Sequence, residues 1–190
     1  MGFFDRMNQQ PAAAAPGTAK PAEVHGDKTE RIVLADLPET LDAFKALPQA
    51  ELTSPFDTAA LAVAAFCLFP ADKELCYQMI DFLRGPRPMT GADKQFISDR
   101  FRGKDYVPRS YFEGAVPGNN YMPTEPYTIT VKTGAHSYDS EGYVKLFIPS
   151  GGADDPRPVT LRCKGDKWYL WEYSSILSGI RTPAQEDPWA

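Results

Sequence analysis

Aromatic rings interleaved with cations are the residues of this chain best suited to chemistry. Tyr143, Phe147, Arg162, Tyr169, Trp171 and Tyr173 fall on one parity of strand-like stretches, with Lys145 and Lys164 beside them. Gly165-Asp166 is suited to a two-residue reversing turn between residues 159–164 and 167–173. Such a turn sets Cys163 opposite Trp168, Leu161 opposite Leu170, Arg162 opposite Tyr169 and Thr160 opposite Trp171. A planar cation among rings is the pattern of a stacking platform for a peptide, sugar or base. The competing expectation is that so much ring surface is covered. Residues 104–126 supply a cover: Tyr106, Tyr111, Phe112, Tyr121 and Met122 bring apolar area, and Pro108, Pro117, Pro123 and Pro126 stiffen the segment. The cover is the favoured expectation, with Tyr111 and Phe112 as further contact candidates.

Other constellations carry less. Asp105 and Glu113 flank the aromatic segment as a possible carboxylate pair for acid/base work. Asp154-Asp155 after Gly151-Gly152 lacks the spaced oxygens of a calcium loop and reads as a turn. Pro123–Pro126 matches P-x-x-P but runs straight into a strand without a basic anchor. Arg84, Arg87, Arg100, Arg102, Lys104 and Arg109 alternate with Asp93, Asp99 and Asp105, which predicts a salt-bridged surface. Cys67, Cys76 and Cys163 are odd in number and lack C-x-x-C spacing, so they read as small core hydrophobes. With only His25 and His136 in addition, no metal site, no cofactor and no catalytic residue is expected.

The elements that must position these residues come in two groups. Asp36 with Glu39 opens a helical pattern through Leu37, Leu41, Phe44 and Leu47. Ser54, Pro55 and Asp57 form an N-cap, a first turn and a dipole complement for a helix that is apolar all round and ends at Pro70, which predicts a central position. A third helix runs from about 72 to 84 with Gly85 as its cap, and a fourth from Thr90 to Gly103. Beyond residue 126 the period changes to two, giving strands at 127–131, 143–148, 159–164 and 167–173. The fold class is α+β: N-terminal helices packed on one face of a C-terminal antiparallel sheet of about four strands, with the long aromatic loop between.

The chain has 190 residues, 43% of them hydrophobic, enough for one core. Residues 8–30 carry almost no large apolar side chain, so residues 1–30 are expected to be a disordered tail and linker and 31–190 a single domain. At the start of the tail, Phe3, Phe4 and Met7 form a short hydrophobic knob, a candidate docking peptide. A formal charge of −5 argues against nucleic acid as a partner. The absence of a signal peptide, of a myristoylation signal (Arg6 stands where Ser or Thr is needed) and of a run long enough to cross a bilayer predicts a cytoplasmic protein.

The stretches beginning Ser54-Pro-Phe-Asp, Asp105-Tyr-Val-Pro-Arg-Ser-Tyr, Glu125-Pro-Tyr-Thr-Ile, Pro156-Arg-Pro-Val and Trp168-Tyr-Leu-Trp resemble an uncharacterised bacterial family of small cytoplasmic proteins, a domain of unknown function. The resemblance covers roughly residues 36–190 and implies no activity. The order of elements also resembles the cone-shaped folds of the nuclear-transport-factor-like class, which implies a curved sheet wrapped round a helix. The expected function is a non-enzymatic interaction or scaffold module that meets a protein partner through the tail or the aromatic face. The alternative is a small-molecule-binding protein or enzyme with a pocket between sheet and helices.

Overall fold

The computed structural model describes residues 27–189. Phe3, Phe4, Met7 and His25 therefore lie outside the described residues.

Helix α2 (Pro55–Cys67) is the centre of the molecule. The Ser54 hydroxyl accepts from the Asp57 N–H at 3.4 Å and Pro55 occupies the first helical position, so the helix starts where its cap chemistry dictates. Every residue from Thr58 to Phe66 is buried. Its run of alanines keeps the helix thin, and strands approach it from several sides. Helices α3 (Lys73–Arg84) and the short α5 (Tyr106–Arg109) contact it, α1 (Leu41–Lys45) contacts α3, and α4 (Gly91–Phe101) reaches it through Phe101, 5.6 Å from Phe66. Asp72 caps α3 by accepting the Leu75 N–H, and Thr90 with Asp93 forms a capping box on α4.

The sheet has five antiparallel strands in sequence order, not about four: β1 (Thr29–Leu34), β2 (Tyr127–Lys132), β3 (Tyr143–Ile148), β4 (Arg157–Lys164) and β5 (Lys167–Glu172). The additional strand, β1, starts inside the segment expected to be linker. Ile32 and Leu34 point into the core while Arg31 and Val33 stay exposed, a short alternation that the charged flanks conceal in the sequence. Helix α2 contacts all five strands, so the sheet curls round it. Ile32, Leu34, Ile129, Val131, Val144, Leu146, Ile148, Leu161 and Leu170 line that interface, each at most 5% exposed.

Strands β2 and β3 share a single pair, Lys132 with Phe147, and then diverge. The aromatic segment fills the wedge they leave. Phe112 bridges to Ile129, the Glu113 N–H donates to the Thr128 carbonyl at 2.9 Å, and the Gly151 N–H donates to the Ser110 carbonyl at 2.9 Å. Tyr106, Tyr111, Phe112 and Tyr121 are all buried. Tyr106 stacks on Tyr121 at 5.5 Å, and the Tyr121 hydroxyl donates to the Arg181 carbonyl at 2.7 Å. The segment is thus a structural plug between two strands.

Candidate functional site

The β4–β5 hairpin keeps the expected register from its turn as far as Leu161 opposite Leu170. It then breaks: Thr160 pairs with Glu172, so Trp171 is an extra residue on β5 without a partner of its own across the ladder. This bulge reverses the parity of the residues beyond it. Tyr173, expected beside Tyr169 and Trp171, instead turns inward, is 6% exposed and meets Phe66 of α2 at 5.6 Å. Burial pushes its hydroxyl up to about 12.

Trp171 remains half-buried and is surrounded by cations. The Arg162 guanidinium lies 4.7 Å from its ring and 5.4 Å from that of Tyr143, which pairs with Arg162 across β3–β4. Tyr143 and Trp171 meet edge to face at 5.7 Å. The Arg87 guanidinium lies 4.4 Å from Trp171. Arg87 is held there by the α3–α4 connection, in which the Asp81 carboxylate accepts the Met89 N–H at 2.6 Å and Arg84 Nε donates to the Arg87 carbonyl at 3.0 Å. Gly85 ends α3 at φ 58° and ψ −118°, and a methyl group there would run into the Tyr169 ring. Arg84, Pro86, Arg87, Arg162, Tyr169 and Trp171 thereby line an open cleft of about 380 Å3, with Lys164 at its rim. A second cleft of about 530 Å3 continues past Trp171 to Asp93 and Phe96.

The cations here are unevenly satisfied. Arg84 is buried and faces Asp93 at 3.9 Å. Burial works to raise the Asp93 carboxyl, but hydrogen bonds from Thr90 and the nearby Arg84 and Arg87 charges leave it below the usual range. Among the described residues, Arg87, Arg162 and Lys164 make no ion pair. The expected salt-bridged surface thus exists at Arg84–Asp93 and at Arg102–Asp99 (2.9 Å), while Arg87 is committed to the tryptophan.

Of the sequence candidates, Tyr143, Arg162, Tyr169 and Trp171 come together. Phe147 sits apart, against Gly134. Tyr111 and Phe112, each 3% exposed, belong to the plug in the wedge between β2 and β3 and line a separate shallow cleft there, away from Trp171. Residues 104–126 accordingly do not serve the aromatic face as its cover; the groups over Trp171 are Arg87 and Arg162. Sequence reasoning missed the pairing of Arg87 and Pro86 with the sheet, although the basic run around residues 84–87 marked the place. Glu113 accepts from Arg31 at 2.8 and 2.5 Å and from the Thr130 hydroxyl at 3.0 Å, a structural clamp rather than half of an acid/base pair with Asp105. The cysteines are free thiols, and burial pushes Cys67 up to about 12 and raises Cys76 as well, which makes both poor nucleophiles. Among the described residues no cluster of three His, Cys, Asp or Glu could hold a metal ion, and no helix is long and apolar enough to cross a membrane.

Residues 36–184 match the model of a domain of unknown function, DUF6935. The chain belongs to this family. The matched residues contain every member of the cleft but begin after β1, so that first strand lies outside the family's matched span. No curated protein and no solved structure matches the chain.

Proposed function

We propose that this member of the DUF6935 family is a non-enzymatic interaction module that binds an anionic partner in the cleft between the α3–α4 connection and β4–β5. The observation that carries the reading is Trp171, a bulge residue held in contact with two guanidinium groups that form no ion pair with a carboxylate among the described residues. A bulge presents a side chain that a regular strand would pair, and unpaired arginines on a half-exposed indole combine charge with a hydrophobic floor. The reading takes residues 31–190 as one domain whose helices cover one face of the sheet, with the cleft at the β5 edge, and it takes the protein as cytoplasmic.

The test is affinity capture from cell extract with the parent and with an Arg87→Ala/Arg162→Ala variant. Loss of the captured partner in the variant, with melting temperature preserved, supports the cleft. Equal capture by both proteins would overturn it.

A further inference from the structure

Resting on the cleft as a binding site, we infer that its occupant is an acidic, tryptophan-bearing segment and that a second copy of this chain provides one: residues Glu186-Asp187-Pro188-Trp189.

The two surfaces match in charge and in apolar character. Trp189 is 93% exposed, far more than any other large hydrophobic side chain described, the next being Met122 at 60%. The apolar body of Trp189 and its indole N–H are both free to enter a cleft. Glu186 and Asp187 are likewise exposed, and Pro188 limits the conformations the segment samples. The cleft offers the complement: Arg87, Arg162 and Lys164 for the two carboxylates, and the rings of Trp171 and Tyr169 for the indole. Glu172 lines the neighbouring cleft beyond Trp171, not this one.

The root of the segment is fixed. The Arg181 N–H donates to the Gly152 carbonyl at 2.9 Å, its guanidinium pairs with Asp154 at 2.8 Å, and the 3-10 turn Ala184–Glu186 rests on the turn Pro117–Asn119. These anchors belong to the plug side of the molecule, whereas the cleft belongs to the β5 edge. Docking between copies therefore joins two different surfaces, and it closes as a reciprocal pair, each segment in the other copy's cleft, or extends into a ring or chain. With one ring and two carboxylates per contact, the association is weak and transient.

The test pairs sedimentation velocity over a wide range of protein concentration with fluorescence anisotropy of a labelled peptide of residues 182–190. The parent is expected to self-associate as concentration rises and to bind the peptide, and both effects should weaken with salt. Trp189→Ala should weaken self-association at least about tenfold, in line with loss of a central aromatic anchor. Its cleft is intact, so it should still bind the peptide. Arg162→Glu should abolish both, and combining it with Glu186→Arg and Asp187→Arg should restore self-association. A parent that stays monomeric and ignores the peptide overturns the inference; if capture from extract still depends on Arg87 and Arg162, the cleft remains a binding site for another partner. A monomer that binds the peptide only after Trp189→Ala would place the segment in its own cleft, which also overturns docking between copies.

Discussion

Gly85 shows how much one residue governs at the cleft. Its backbone lies in a region that side chains avoid, and the space a methyl would need is held by the Tyr169 ring. Gly85→Ala should cost about 2 kcal/mol or more in urea unfolding and, by displacing Tyr169, should also disturb partner capture. Trp171→Ala removes a half-buried ring and should cost only about 1–2 kcal/mol, whereas Tyr121→Ala, at a fully buried ring, should cost about 3–5 kcal/mol. Equal losses at the two positions would mean that Trp171 is as enclosed as the plug. The contrast between these residues is also the limit of what a sequence reveals. Alternation placed Tyr143, Arg162, Tyr169 and Trp171 on one side correctly, because strand parity is local. It misplaced Tyr173, because a bulge is decided by how two strands settle against the core and leaves no mark in the order of residues.

At the scale of elements, the starts at Ser54, Asp72 and Thr90 were legible, each capping the helix directly after it, since cap chemistry acts within four residues; the first helix was not, because Thr40 rather than Asp36 is its cap. The path of residues 104–126 was not legible, because Tyr111 and Phe112 would be equally at home over any apolar surface. What decides it is the divergence of β2 from β3, and the Glu113 clamp shows how firmly the plug is seated. Glu113 joins the plug to β1 through Arg31 and to β2 through Thr130. The Arg31 hydrogen bonds hold its carboxyl below the usual range, and Glu172 is lowered too, its burial outweighed by hydrogen bonds from Ser174 and Tyr173. A carboxyl whose folded value is depressed binds its proton more readily in the unfolded chain, so its contribution is present above the unfolded value of about 4 and is lost as pH falls through the folded value. Asp57, raised by burial, works in the opposite sense. Stability should hold from neutrality to about pH 5 and decline below it, and Glu113→Gln should flatten part of that decline. A melting temperature of Glu113→Gln that falls with acid as steeply as the parent's would exclude the clamp as a contributor.

For the whole molecule, the decisive boundary lies at β1. A chain cut before Lys28 keeps every described strand, while one cut after Leu34 loses Ile32 and Leu34 from the core and bares the edge of β2. The shorter chain should be less stable by about 4 kcal/mol or more and prone to aggregate, as light scattering would show. An unchanged melting temperature would show β1 to be dispensable. The opposite edge has its own protection: the Leu52 carbonyl accepts the Trp168 N–H at 2.7 Å and the Glu51 carbonyl accepts from Lys167 at 2.9 Å, so β5 does not end in an unpaired ladder. The position of β1 also sets an order of events during synthesis. Lys28 donates to Thr133, 105 residues further on. At a ribosomal rate of about 5–20 residues per second, the first strand leaves the tunnel about 5–20 s before the strand that must receive it. Throughout that interval Ile32-Val33-Leu34 has no native partner, and the charges of Lys28, Glu30 and Arg31 on the same short stretch are what keeps the nascent chain from finding a wrong one.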